Sequence, residues 1–116
     1  MMSDSTFITC VDATLAAIGA ALDAALAASD SDADWRLHDG ILEIEGEDGS
    51  KVIVNRHVPN REIWVAARSG GFHFHAESGG WRDTRSGEAL AVQLRALLAQ
   101  QMGLDVDLSR IPPPVF

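Results

Sequence analysis

Asp12, Asp23, Asp30, Asp32 and Asp34 put five carboxylates in the first third of the chain, and Glu43, Glu45, Glu47 and Asp48 follow closely. Carboxylate oxygens are hard donors, and without thiolates beside them they suit Fe²⁺, Fe³⁺, Mn²⁺ or Ca²⁺. Asp12 and Asp23 stand eleven residues apart, about three helical turns, so on one helix they share a flank. Asp30 and Asp32 belong to the loop that would follow, and Asp34 to the entrance of a strand. Together they make an open strip rather than a closed cage. That arrangement predicts several weak sites with poor selectivity, where iron and other divalent cations substitute for one another. The plainer alternative is a solvated face that aids solubility, the usual meaning of a charge run.

A second feature is Trp64, in the run Glu62-Ile-Trp-Val-Ala-Ala-Arg68. In a strand Ile63 and Val65 face one side while Trp64, Ala66 and Arg68 face the other. If the aliphatic pair points into the core, an indole is left on the solvent face. Trp and Arg dominate the energetics of protein interfaces, so such a residue marks a docking surface. The alternative is a sheet covered on both faces, with Trp64 as ordinary core.

His73 and His75 alternate along another strand and so point the same way, about 6.5 Å apart at Cα. They could share a metal only with a third ligand such as Glu77 or His57. Two exposed histidines flanking buried Phe72 and Phe74 explain the pattern as well. Ser69-Gly70-Gly71 precedes no helix and so offers no phosphate cradle. No Ser or Cys nucleophile stands beside a recognisable His and acid, and no Glu-x-x-His pair of the di-iron type occurs. Nothing in these residues calls for an enzyme.

At 116 residues the chain makes one domain with one core. Its 47% apolar and 22% charged content is that of a folded protein. The single Cys10 excludes an internal disulfide and a cysteine-held zinc or cluster site. No signal-peptide pattern and no run of ~20 apolar residues stands out, so a cytoplasmic bacterial protein away from membranes is expected. The net charge of −8 argues against nucleic acid. That charge is uneven: residues 1–48 hold eleven acids and only Arg36 as a base, whereas 49–116 are slightly basic.

The elements that must position these groups follow from periodicity. Ser3 or Asp4 caps a helix whose apolar stripe is Phe7, Val11, Leu15, Ile18, Leu22 and Leu26. Short strands are expected at Asp34–His38, Ile41–Gly46, Lys51–Asn55, Glu62–Arg68, Phe72–Ala76 and Gly80–Asp83. Turn residues between them, such as Asp39-Gly40 and Gly70-Gly71, are too short for parallel crossovers. A second helix is expected from a Ser86 cap through Leu90, Leu94, Leu97, Leu98 and Met102, stopped by Gly103. The fold class is therefore α+β, a two-layer sandwich with both helices on one face of a five- or six-stranded antiparallel sheet. The open face would then carry Arg36, Glu43, Glu45, Asn55, Trp64, Arg68, His73 and His75. Residues 1–103 make the domain, and 104–116 an extended C-terminal tail, loosely held after Leu108.

The chain also resembles the bacterial frataxin family. The resemblance rests on Gly40-Ile-Leu-Glu-Ile, Glu47-Asp-Gly-Ser-Lys51, Val-Ile-Val-Asn55, Pro59, Ile63-Trp-Val-Ala, Ser69-Gly-Gly-Phe-His-Phe74, Trp81-x-Asp83 and Arg85-Ser-Gly-Glu88. It runs from residue 3 to about 103 in family order. It implies the same sandwich and an accessory role in iron–sulfur cluster assembly. The acidic ridge would bind iron weakly and meet a cysteine desulfurase. Asn55, Asn60, Arg61 and Trp64 would meet the iron–sulfur scaffold protein. Such a protein acts as regulator of sulfur delivery or as iron donor, and as a monomer that iron can drive into oligomers. Gly19, Ala20, Ala24, Ala25 and Arg36 stand where relatives commonly carry acids, which implies weaker iron binding than the family norm. The alternatives are a ferroxidase-like oxidation of Fe²⁺ and a metal-independent adaptor module.

Overall fold

Helix α1 spans Asp4–Ala27. Ser3 ends the preceding chain in extended conformation, and its hydroxyl accepts the Thr6 N–H at 3.1 Å, satisfying one of the free donors of the first turn. The computed structural model, which describes residues 2–115, then runs through six strands. They are β1 (Asp34–His38), β2 (Ile41–Glu45), β3 (Lys51–His57), β4 (Glu62–Ala67), β5 (Gly70–Glu77) and β6 (Gly80–Asp83), and α2 (Leu90–Met102) follows. The strands form one antiparallel meander in chain order, with no crossover. Asp39 and Gly40 join β1 to β2 with positive φ at both positions, 51° and 76°, as a two-residue turn matching strand twist requires.

Alternation sorts the sheet into two faces. Leu42, Ile44, Val52, Val54, Ile63, Val65, Phe74 and Trp81 are buried under the helices. The stripe Phe7, Val11, Leu15, Ile18 and Leu22 on α1, and Leu90, Leu94, Leu97 and Leu98 on α2, close the core from above. Each such side chain contributes ~1.5–3 kcal/mol on leaving water, which is why neither helix stands alone. At Gly19 of α1 the Trp35 ring packs directly on the helix: an added Cβ would lie 2.7 Å from it. The expected sandwich is the fold found.

Several details differ from expectation. Strand β5 runs from Gly70 to Glu77 and not from Phe72 to Ala76, because Gly70 and Gly71 pair with Ala67 and Ala66 of β4 and the turn falls at Arg68 and Ser69. Strand β3 runs to His57 and not Asn55, because Arg56 and His57 pair with Ile63 and Glu62 of β4. Helix α2 starts at Leu90, not near Ser86. Asp83 accepts the N–H groups of Arg85 and Ser86 at 2.7 and 3.2 Å, and Gly87 is left-handed at φ 77°, so residues 84–89 form turns before a helix can begin. The C-terminal segment is extended but not loosely held. Leu104, Val106 and Leu108 join the core, Pro114 is buried, and the Cys10 thiol donates to the Val115 carbonyl at 3.5 Å. Finally, α1, at 24 residues and mean hydropathy 1.6, is long and apolar enough to cross a membrane by composition alone. Here its apolar stripe faces the sheet.

Candidate functional site

The open face of the sheet is organised around Trp64. Its direct neighbours across the strands are Asn55 on β3 and His73 on β5. Ile63 and Val65 are at most 2% exposed, whereas Trp64 between them is half-buried. The indole lies between two imidazoles. His57 stacks on one side with ring centroids 3.5 Å apart, and His73 on the other at 4.3 Å, both nearly parallel. The indole N–H donates to Glu62 Oε1 at 2.8 Å, and the same oxygen lies 3.8 Å from His73 Nδ1. Glu62 and the histidines therefore hold a half-buried aromatic in one orientation, its two faces stacked on imidazoles. A ring already fixed loses little entropy when a partner packs against it, which suits an anchor.

The other residues expected at a partner surface part company. Asn60 is exposed at the β3–β4 turn, its N–H reaching His57 Nδ1 at 3.4 Å. Arg61 takes φ 49° and sends its guanidinium to Asp4 at 2.8 Å, back toward the start of α1. Arg68, expected on the open face, reaches the β2–β3 turn and pairs with Asp48 at 2.9 Å. His73 and His75 do not share a position for one metal: His73 stacks on Trp64, while His75 meets Glu77 at 2.6 Å.

The acidic strip is only partly continuous. Asp12 is ion-paired with Arg56, whose side chain is 17% exposed and also lies 3.7 Å from Asp39. Asp12 is thereby neutralised, and it sits about 16 Å along α1 from Asp23. Asp23 accepts the Trp35 indole N–H at 2.9 Å, and Asp34 accepts the Trp35 backbone N–H at 2.8 Å, so one tryptophan ties the two together. The Asp32 N–H donates to Glu47 at 2.7 Å, drawing a further acid to the exposed loop that also holds Asp30. Asp34, Glu43 and Glu45 line a shallow cleft of about 140 Å³ with Trp35 and Arg36. Within it the Arg36 guanidinium bonds Glu43 at 2.7 Å, holding that carboxyl below its ordinary range and raising its own. At the β2–β3 turn, the Ser50 backbone N–H at 3.0 Å, with Arg68, holds the Asp48 carboxyl far below the usual range. Among the described residues no three His, Cys, Asp or Glu side chains are grouped to hold one metal ion.

Residues 1–104 match the frataxin-like domain family. The chain belongs to that family. An iron–sulfur cluster assembly protein CyaY from Dechloromonas aromatica is 50% identical over 103 residues, covering 88% of this chain and 94% of that protein. Another, from Burkholderia mallei, is 41% identical over 108 residues, covering 93% and 99%. Among solved structures, the frataxin from Psychromonas ingrahamii superposes with a TM-score of 0.77 at 29% identity, over 94% of this chain and all 100% of that one. Yeast frataxin, at 20% identity and a TM-score of 0.64 over 84% of this chain, shares the fold.

Within this CyaY-type frataxin, sequence reasoning places His57 only as a third metal ligand beside His73 and His75 and gives Glu62 no role, whereas both hold Trp64. The His57 stack depends on β3 extending past Asn55 to pair with β4. The available signal was alternation: His57 stands two residues after Asn55, and Glu62 two before Trp64.

Proposed function

We propose that this protein is a non-catalytic, cytoplasmic accessory of iron–sulfur cluster assembly. It docks through the Trp64 face on the complex of a cysteine desulfurase with its scaffold protein, and binds iron weakly as cargo through the acidic strip. The observation that carries this reading is the half-buried Trp64, held by two stacked imidazoles and Glu62 on the open face of the sheet. The relatives' name as iron–sulfur cluster assembly proteins supports the pathway. The exposed carboxylates of Asp23, Asp30, Asp32 and Asp34 support a cation as cargo and a basic surface on the partner.

A metal-independent adaptor is the second reading. The pairing of Asp12 with Arg56 favours it, because it removes one carboxylate from the strip. Anaerobic titration of the protein with Fe²⁺, followed residue by residue by NMR, separates the two. Signal loss confined to Asp23, Asp30, Asp32, Asp34 and Glu47 supports iron as cargo, and an unchanged spectrum leaves the adaptor. Docking is tested in parallel by affinity of Trp64→Ala for the desulfurase–scaffold pair. Unaltered affinity overturns the assignment of the Trp64 face.

A further inference from the structure

The two edges of the sheet end differently. At β6 the chain closes its own edge: the Asp83 N–H donates to the Glu88 carbonyl at 2.8 Å, and Arg82 pairs with Ala89 as an isolated antiparallel bridge. At the other edge no described residue pairs with the outer side of β1. Every residue of β1 except Trp35 is exposed. The strand holds no Pro and no Gly, and it pairs with β2 residue for residue, without a bulge. Charge is therefore its only protection against pairing with another strand. That charge is not of one sign. Asp32 and Asp34 precede Trp35, whereas Arg36 and His38 follow it.

The backbone sets which groups face outward. Asp39 and Gly40 form a two-residue turn, so the flanking His38 and Ile41 exchange both their hydrogen bonds. Counting back by twos, Arg36 and Asp34 also bond inward to β2, and the N–H and C=O groups of Ala33, Trp35 and Leu37 point out. The Trp35 N–H bears this out: its acceptor is the Asp34 side chain at 2.8 Å, not a neighbouring strand. An antiparallel copy with Trp35 opposite Trp35 sets Asp34 against Arg36 and Asp32 against His38, on both sides of the two-fold axis. Asp34 and Arg36 then form a non-hydrogen-bonded pair, where side chains approach closest. On the helix side the same register sets Leu37, 39% exposed, against Ala33. The Arg36 guanidinium is 78% exposed while it bonds Glu43, which leaves it donors to spare. Centring the pair on Arg36 would instead oppose two guanidinium groups, and a uniformly basic strand would set a cation against Arg36. The edge is complementary to itself.

We propose that the protein forms a weak dimer in which the β1 edges of two copies pair antiparallel about Trp35, with Asp34 of each copy opposite Arg36 of the other. The dimer covers Asp32 and Asp34 of the acidic strip. It leaves the Trp64 face free, because β4 lies in the interior of the sheet, and so does not depend on docking there. The contact is short, so the dimer is concentration-dependent, and its exposed ion pairs make it salt-sensitive. The test is sedimentation of the metal-free protein at low ionic strength, at concentrations up to about 1 mM, with backbone amide shifts followed on the same samples. The mean mass should rise toward that of a dimer, with shift changes centred on residues 33–37. Asp34→Arg and Arg36→Asp each set like charges opposite one another and should weaken self-association at least about tenfold. An equimolar mixture of these two variants restores both opposite-charge pairs between unlike chains, so the mixture should dimerise where neither variant does alone. A monomer at every concentration overturns the proposal on the unsubstituted protein, whatever the variants' stability. A dimer whose shift changes lie away from β1, or a mixture no more associated than its components, overturns it as well.

Discussion

Trp81 and Trp64 stand on opposite faces of one sheet and are held by opposite means. Trp81 packs edge-on against Phe7 with ring centroids 6.0 Å apart, and burial alone keeps it in place. Trp64 faces outward, held by two stacked imidazoles and a hydrogen bond to Glu62. The difference is that between a ring held by burial in the core and one held by polar neighbours on the outer face. In the first case apolar area removed from water does the holding. In the second, stacked imidazoles and a carboxylate orient the ring on the outer face of the sheet.

The largest effect should come from emptying the core side. Trp81→Ala is expected to cost about 3–5 kcal/mol of unfolding free energy, measured by urea denaturation. Trp64→Ala should cost only about 1 kcal/mol, the worth of its aromatic contacts. A comparable loss at both positions breaks the comparison and places Trp64 in the core.

Binding should reverse the order. Trp64→Ala is expected to lose about 2 kcal/mol or more of affinity for the desulfurase–scaffold complex, measured calorimetrically. Removing either stacked imidazole, as His57→Ala or His73→Ala, sharpens the test. The ring then stays present but loses its orientation, so each should lose part of that affinity with little change in folding stability.

On the acidic strip smaller effects are expected. Asp30→Asn with Asp32→Asn relieves repulsion between neighbouring exposed carboxylates, so apo stability should rise by up to about 0.5 kcal/mol. The stabilisation produced by adding Fe²⁺ should shrink in the same variant, checked by thermal melts with and without metal. A fall in apo stability would show native contacts at these side chains.

The smallest effect concerns pH. Asp48 and Glu43 both have folded-state values below their unfolded ones, through Ser50 and Arg36 respectively. Their contribution is therefore present above the unfolded carboxylate range near ~4 and is lost as pH falls through the folded values. Asp48→Asn should leave a smaller loss of stability between neutral and acid pH than the unsubstituted protein shows. An identical pH profile would mean that the Ser50 contacts are already present in the unfolded chain.

Much of this protein was legible in its sequence because periodicity is a local property. The stripe from Phe7 to Leu22, the alternation at Ile63-Trp64-Val65 and the Asp39-Gly40 turn each state which way a side chain points, independently of distant chain. Those three signals suffice for the sandwich and for an exposed Trp64. Partnerships between side chains are not local. Asp12 looked like one of five equivalent carboxylates until the last residues of β3 placed Arg56 against it. Arg61 looked like part of the docking surface until α1 offered it Asp4. The stacking of His57 on Trp64 depends on the register of β3 with β4, and the unpaired N–H of Trp81 on how α2 and the C-terminal segment close over β6. Sequence spacing determines the face a residue occupies. Only the packing of separate elements decides which charge it meets there and which donor is left without an acceptor.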